Sequence, residues 1–123
     1  MTPSKKVLCR AVDAEVLQTS WGRIVWTASG QIGNSSSMSF GRVLIRAGQE
    51  NPRHRHPNCD EILHVISGRI EHEIDGENVA MGPGDSISIP QGVWHQARAL
   101  GEDAEIVICF NSPNRLTEME EEL

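Results

Sequence analysis

Four side chains that could bind a metal ion occur in the middle of the sequence. His54 and His56 are separated by one residue, Glu61 follows after four more, and His95 comes further along the chain. In an extended segment, residues i and i+2 point to the same side, so the two imidazoles of the pair can converge on one point. A carboxylate that enters an apolar face must be paired or bound to a metal. Three imidazoles and one carboxylate form a donor set suited to a first-row divalent metal.

The segments that would position these side chains have the pattern of short β-strands. From residue 22 onward, apolar or β-branched stretches alternate with turn residues at intervals typical of an all-β sandwich or barrel. The predicted strands cover residues 22–27, 38–46, 60–67, 69–75, 85–89, 94–100 and 104–110. No long helix is predicted. Glu61 and His95 therefore fall at the beginnings of two strands.

One predicted hairpin carries a further histidine. Asp75 and Gly76 tolerate the positive φ that a tight primed turn requires, and they separate two alternating runs between residues 69 and 80. In the first run, Glu71 and Glu73 have one parity and His72 has the other. Because the glutamates are expected to face water, His72 is predicted to face the interior. It either lines a pocket as an acid or base or is a satisfied core histidine.

Length and composition are those of one globular domain. The 123 residues are 38% hydrophobic and include 11 glycines, which is enough apolar material for a single core. A formal charge of −6 and few aromatic residues argue against nucleic-acid binding. No apolar run approaches the roughly 18–20 residues that a membrane span requires. Three cysteines without CxxC spacing favour a reducing, cytoplasmic location.

The chain is expected to divide into three regions. Residues 1–20 are predicted to form a partly ordered N-terminal arm, with disorder at residues 3–6 and either a strand or a helical turn at residues 12–17. Residues 21–112 are predicted to form the barrel. Residues 113–123 form an acidic C-terminal tail, either solvated or as a frayed helix, because they contain good helix formers but little apolar content.

Two spaced motifs give the chain a resemblance to the cupin superfamily. The first motif runs Gly48, five residues, His54-Arg55-His56, four residues, Glu61, six residues, Gly68. The second motif runs Gly84, five residues, Pro90-Gln91-Gly92, two residues, His95. That motif commonly ends in Asn four residues after its histidine, and Ala99 stands there in this chain. Over roughly residues 40–110 the sequence resembles the small single-domain metal-binding cupins.

The resemblance implies a fold and a ligand set. Cupins are all-β proteins with a double-sheet jelly-roll barrel, and the chain is expected to form one such domain. By the same resemblance, His54, His56, Glu61 and His95 are the ligands of one divalent ion per chain, with coordination positions left for water or substrate. The donor set does not discriminate among Mn²⁺, Fe²⁺, Ni²⁺ and Zn²⁺.

Other polar side chains have two interpretations each. Arg42 lies within a predicted strand, where it either faces solvent or anchors an anionic substrate, and it is the candidate substrate-binding residue. Arg53 and Arg55 have the parity opposite to the histidine pair and are predicted at the rim. Cys59 has inward parity and is either a buried filler or a soft contact near the metal. His64 has outward parity and is expected to pack at an interface.

Two classes of function fit these residues. An open metal site favours a metal-dependent enzyme acting on a small polar or anionic metabolite by dioxygenase, isomerase, lyase or cyclase chemistry, with His72 as the proton-transfer residue. The alternative is a non-catalytic small-ligand-binding or accessory cupin. Expected partners are a small molecule and, in a homodimer, a second copy of the chain, because symmetric pairing covers exposed strand edges. Neither nucleic acid nor a membrane is expected as a partner.

Overall fold

Strands are the main regular secondary structure in the computed structural model, which describes residues 7–122. The strands are β1 (Glu15–Gln18), β2 (Gly22–Ala28), β3 (Ser39–Ile45), β4 (His54–Arg55), β5 (Glu61–Ser67), β6 (Ile70–Ile74), β7 (Glu77–Met81), β8 (Ser86–Ile89), β9 (His95–Ala99), β10 (Ala104–Phe110) and β11 (Glu118–Met119). Short 3₁₀ turns cover Ala11–Asp13 and Glu120–Glu122. The seven strands predicted from the sequence are all present, with ends that differ from the predicted ones by at most one residue.

These strands form two antiparallel sheets. The larger sheet has the order β1-β2-β3-β10-β5-β8, and the smaller has the order β11-β4-β9-β6-β7. Buried apolar side chains from both sheets form one core cluster, which includes Ile45, Val65 and Ile106 from the larger sheet and Ile70 and Ala97 from the smaller. The predicted double-sheet jelly-roll fold is therefore confirmed, although the two sheets do not close into one continuous barrel.

Alternation along the central strands brings the candidate site into this core. On β10, Ala104, Ile106, Ile108 and Phe110 are buried, while the residues between them are partly exposed. Strand β5 follows the same pattern, and the first of its buried positions is taken by Glu61 rather than by an apolar residue. A carboxylate therefore enters the apolar layer between the sheets.

The predicted hairpin is confirmed, and it orients His72. Asp75 and Gly76 connect β6 to β7 with φ angles of 49° and 85°, the left-handed region that a two-residue primed turn needs. The register pairs Ile74 with Glu77, so the side chains alternate as the sequence indicated. His72 faces the interior and has no exposed surface.

Both ends of the described chain contribute strands. The sequence predicts either a strand or a helical turn at residues 12–17. The structure contains both, because a 3₁₀ turn precedes β1 and β1 pairs with β2. The C-terminal segment differs from the predicted tail or frayed helix, because β11 pairs with β4 and joins the smaller sheet. The predicted disorder at residues 3–6 lies outside the described residues. Among the residues described, no helix is long and apolar enough to cross a membrane.

Candidate metal centre

Three histidines from the smaller sheet and one glutamate from the larger sheet come together between the sheets. His54 on β4 lies opposite His95, the first residue of β9, and His56 follows β4. One ring nitrogen of each histidine lies within 4.8 Å of the others. Glu61 reaches the same place from the start of β5, and its Oε1 lies 3.3 Å from His56 Nε2 and 3.2 Å from His95 Nε2. The structure thus brings together all four residues predicted as metal ligands.

Backbone carbonyl groups fix the orientation of the three imidazoles. Each Nδ1 atom donates a hydrogen bond to a main-chain oxygen. The pairs are His54 with Pro52 at 2.7 Å, His56 with Leu116 at 3.0 Å and His95 with Val93 at 2.9 Å. Because a carbonyl only accepts, each Nδ1 carries the hydrogen and each Nε2 of a neutral ring keeps its lone pair. This tautomer presents Nε2 as a metal ligand.

The inward atoms of the cluster have no hydrogen-bond partner in the part of the chain that the structure describes. Among the described residues, His56 Nε2, His95 Nε2 and Glu61 Oε1 are buried side-chain atoms without a hydrogen bond. Two acceptor atoms 3.2 Å apart, as in the contact between His95 and Glu61, need a positively charged particle between them, either a proton or a metal ion. The donor set and its orphaned lone pairs therefore fit a divalent cation.

The electrostatics of the cluster keep the ligands in the forms that metals bind. Burial, together with the neighbouring charges of His95 and His56, lowers the pKa of His54 to about 3. Burial alone would raise the pKa of Glu61, but positive charge shared with the Nε2 atoms of His56 and His95 outweighs it and holds that pKa at about 2. At neutral pH His54 is neutral and Glu61 is ionised, as coordination requires.

A cavity of about 190 Å³ adjoins the cluster. Its wall is mostly apolar and includes the four candidate ligands and His72. The ring of His72 stacks on His95 with 5.8 Å between ring centres, and neither of its nitrogens has a hydrogen-bond partner among the described residues. Burial, followed by the nearby His95, lowers the pKa of His72 to about 4. A neutral imidazole with both nitrogens free thus faces the space beside the metal centre.

Arg42, predicted as the substrate-binding residue, does not lie in this cavity. It is exposed on the outer face of the larger sheet and forms an ion pair of 3.2 Å with Glu105. Alternation along β3 explains the outward position of Arg42, because the next residue, Val43, points inward and lines the cavity. The arginine that does line the cavity is Arg115, which the sequence analysis missed. The sequence feature that could have pointed to Arg115 is that it is the single basic residue of the acidic segment 113–123.

Arg53 and Arg55, predicted at the rim, are not among the residues that line the cavity, and they hold the C-terminal segment in place. Arg55 bonds Glu118 of β11 at 2.8 Å, and Arg53 bonds Glu73 at 2.6 Å. Arg53 also pairs with Glu120, and the Arg55 guanidinium lies 4.5 Å from the ring centre of Trp94. These contacts fasten β11 against β4, the strand that carries His54.

Two other candidates lie away from the cavity. Cys59 is 2% exposed and belongs to the apolar core cluster. It is not among the residues that line the cavity, so the filler interpretation fits its position. His64 faces outward on β5, and its Nδ1 lies 2.7 Å from the hydroxyl of Ser86 on the neighbouring strand β8.

Comparison with known proteins agrees with the fold and the motifs. A sequence model of the cupin domain matches residues 41–110, more than half of the chain. The chain belongs to the cupin family. Germin-like protein 3-8 of Oryza sativa subsp. japonica is 34% identical to this cupin over 85 residues, which is 64% of this chain and 38% of the relative. The chain spans about half or less of the length of the first curated relatives it matches.

Solved structures resemble this cupin in fold. Oxalate decarboxylase of Bacillus subtilis, described with Mn(II) centres, superposes with a TM-score of 0.80 at 20% identity, covering 90% of this chain and 31% of that one. KdgF from Halomonas sp. superposes with a TM-score of 0.74 at 23% identity, covering 94% of this chain and 97% of that one. The likeness of the second extends over nearly the whole of both chains.

Proposed function

We propose that this cupin is a metal-dependent enzyme that acts on a small polar or anionic metabolite. The observation that carries the proposal is that buried nitrogen and oxygen atoms without hydrogen bonds converge beside a cavity. His56 Nε2, His95 Nε2 and Glu61 Oε1 are buried, have no hydrogen-bond partner among residues 7–122 and lie next to a space of about 190 Å³. A closed structural metal site would have no reason to adjoin such a space, whereas a catalytic site needs one for the substrate.

The proposed ligands are His54, His56, Glu61 and His95, which would hold one divalent first-row ion per chain, Mn²⁺, Fe²⁺, Ni²⁺ or Zn²⁺. When bound, such an ion supplies Lewis-acid polarisation of a ligand oxygen atom. The chain's own contribution is to fix the ring planes through the carbonyl contacts and to surround the ligand with apolar wall. That wall excludes water and strengthens every charge interaction inside the cavity.

His72 is the proposed proton-transfer residue. Its ring is fully buried, lines the cavity and has both nitrogens free of other partners. A neutral imidazole can accept a proton at one nitrogen and present a hydrogen at the other, so His72 can hold or move a proton on a ligand placed beside His95.

A specific observation favours the alternative, a non-catalytic small-ligand-binding cupin. No carboxylate or carbonyl of the described residues bonds to His72 and orients its ring. Catalytic histidines commonly have such a partner on the second nitrogen. In a binding protein His72 would only donate a hydrogen bond to the ligand.

Metal analysis tests the first part of the proposal. The wild-type protein, purified without added metal and then dialysed against Mn²⁺, should retain about one ion per chain, whereas His95→Ala should lose most of it because a directed bond is removed. His64→Ala is the matched control, since this histidine lies on the outer face of the sheet. Full occupancy in His95→Ala would overturn the ligand assignment.

Turnover tests the second part. The metal-loaded protein is screened with small hydroxy and keto acids for oxygen uptake and for product formation by NMR. His72→Gln should keep its metal and lower the rate by about 10²-fold or more, the usual scale for loss of a general acid or base. A metal-loaded protein that binds a screened acid without converting it, and whose binding depends on His72, would support the binder instead.

We also propose a cytoplasmic homodimer. On the outer face of the larger sheet, Phe40, Cys109 and Ile62 are neighbours on three adjacent strands, and Ile62 is 48% exposed. An exposed apolar row of this kind supports pairing with a second copy of the chain. Ile62→Lys should convert a dimer into a monomer in light scattering after size-exclusion chromatography. All three cysteines are free thiols, in keeping with a reducing compartment.

A further inference from the structure

The C-terminal segment adds a charged side chain to the cavity of the metal centre. After β10, the chain runs through residues 113–117 to β11, which pairs with β4. Arg115 lies on this segment and lines the cavity that contains the three histidines. It also lines a second groove, of about 240 Å³. Arg115 is thus a residue shared by the cavity of the metal centre and this groove.

Aromatic rings and one hydroxyl hold Arg115 in this position. Its guanidinium carbon lies 4.7 Å from the ring centre of Trp26 and 5.2 Å from that of Phe110. The Nη1 atom of Arg115 donates a hydrogen bond of 2.7 Å to the hydroxyl of Thr117. Attraction between the guanidinium and these two rings restrains its position, and the N–H groups other than the one bonded to Thr117 can still donate to a ligand.

Arg115 forms no ion pair within 4 Å in the described part of the chain, and the nearby carboxylate of Glu61 acts on it only at longer range. The ion pairs of residues 7–122 that involve arginine use other arginines, namely Arg42, Arg53, Arg55 and Arg98. Burial lowers the pKa of Arg115, with Glu61 and Cys59 opposing the shift. A half-buried cation whose only side-chain hydrogen bond in the described chain is the one to Thr117 keeps N–H groups available to an anion that enters the cavity.

We propose that Arg115 binds the carboxylate of a small ligand whose other end lies at the histidine centre, an inference that rests on the proposed ligand-binding function of this cavity. A carboxylate matches the planar fork of one guanidinium with two parallel hydrogen bonds. A phosphate carries more charge and three acceptor oxygens, and the mostly apolar wall offers few further donors to it.

The same segment connects the carboxylate site to the metal centre. The Thr117 hydroxyl that accepts the bond from Arg115 lies 3.2 Å from Nδ1 of His56. The carbonyl oxygen of Leu116 accepts a hydrogen bond from that nitrogen. Arg115 is thus positioned by the residues that orient His56, one of the proposed metal ligands. This arrangement fixes the distance between the guanidinium and the histidine centre.

Calorimetric titration with acids and their neutral amides tests the inference. The probes are lactate with lactamide and malonate with malonamide, each titrated into Mn²⁺-dialysed protein of known metal content. The wild type should bind at least one of the acids about tenfold or more tightly than its amide, the usual scale for a charge-assisted hydrogen bond. Arg115→Gln should lose that preference while keeping its metal.

Two further variants complete the test. Arg42→Gln removes the same charge from the outer face and should keep the full preference for the acid. Arg115→Lys keeps the charge without the planar fork and should keep the preference in part, which provides a measurement if Arg115→Gln does not fold.

The inference is overturned if neither acid is preferred by the wild type, or if Arg115→Gln folds and retains the full preference. It is also overturned if Arg42→Gln loses as much as Arg115→Gln, because the effect would then be one of net charge alone. Failure of the wild type to hold metal would instead count against the proposed metal centre. The metal-free protein can still be titrated with the same probes, so the two failures are distinguishable.

Discussion

Two histidines that the fold keeps neutral should make the metal-free protein sensitive to mild acid. The pKa is lowered from the ordinary value near 6.5 to about 3 for His54 and about 4 for His72. Between these values and 6.5, the unfolded chain takes up protons that the folded chain does not. The free energy of unfolding is therefore fully retained above pH 6.5 and falls as the pH drops below it.

The expected size of the loss follows from the distance between the working pH and the unfolded pKa. At pH 5, each histidine lies about 1.5 units below its unfolded pKa, which corresponds to roughly 2 kcal/mol per residue and about 4 kcal/mol for the pair. The carboxyl of Glu61, whose pKa is lowered to about 2, begins to contribute only below about pH 4.5. The interval from pH 8 to pH 5 thus isolates the histidines.

Urea unfolding followed by tryptophan fluorescence, in excess chelator at pH 8, 7, 6 and 5, measures this loss. His72→Leu should lower it by about 2 kcal/mol, because one of the two histidines with a lowered pKa is removed. The same variant should be more stable than wild type at pH 8, by about 1–3 kcal/mol, because two buried nitrogens without partners are replaced by apolar atoms.

The control and the refuting result are distinct. Ile106→Val removes one buried methylene from the core and should lower stability by about 1 kcal/mol at every pH, giving a curve parallel to wild type. If His72→Leu retained the wild-type steepness between pH 8 and pH 5, His72 would not be held neutral by the fold. The electrostatic description of the cavity would then be wrong.

Three further outcomes can be measured on the same protein. Mn²⁺ at about 100 times its dissociation constant should raise the free energy of unfolding at pH 7.5 by about 2.7 kcal/mol, reversed by chelator, and an unchanged melting temperature would contradict binding to the folded chain. Thr117→Val should weaken Mn²⁺ binding about tenfold in competition with a chelating dye, since it removes a polar contact to His56; equal affinity would show that the carbonyl contact alone orients the ring. Gly68→Ala should lower the free energy of unfolding in urea by at least about 2 kcal/mol, because φ is positive and a Cβ would lie 2.3 Å from the Asp103 carbonyl oxygen. Gly48→Ala has a similar φ but open space around the added Cβ, so it should cost only about 1 kcal/mol. Equal costs would refute the steric argument.

The parts of the site that follow a two-residue period could be predicted from the sequence. The parity of His72 against Glu71 and Glu73 predicts that it faces the interior, and it is buried. The same reasoning could not place Arg42, because alternation gives two faces and does not say which one is inside until a neighbour fixes it. Val43 supplies that answer in the structure.

The C-terminal segment could not be predicted for a different reason. Residues 113–122 have no alternating pattern, and their short strand exists because Glu118 and Met119 pair with β4, a partner distant in sequence. Arg115 enters the cavity through this long-range pairing and through its stacking on Trp26. Such contacts depend on tertiary structure, which local propensity does not encode.

The groups that orient the three imidazoles belong to the main chain, and this affects how the sequence can change over evolutionary time. The accepting oxygens are the carbonyls of Pro52, Val93 and Leu116. A substitution at any of these positions that preserves the backbone path leaves the accepting oxygen in place. The side chains there are free to vary for other purposes, such as the shape of the entrance or a partner surface. Inheritance of the centre therefore depends on the coordinating residues, on the Thr117 contact to His56 and on a preserved course of three short loops.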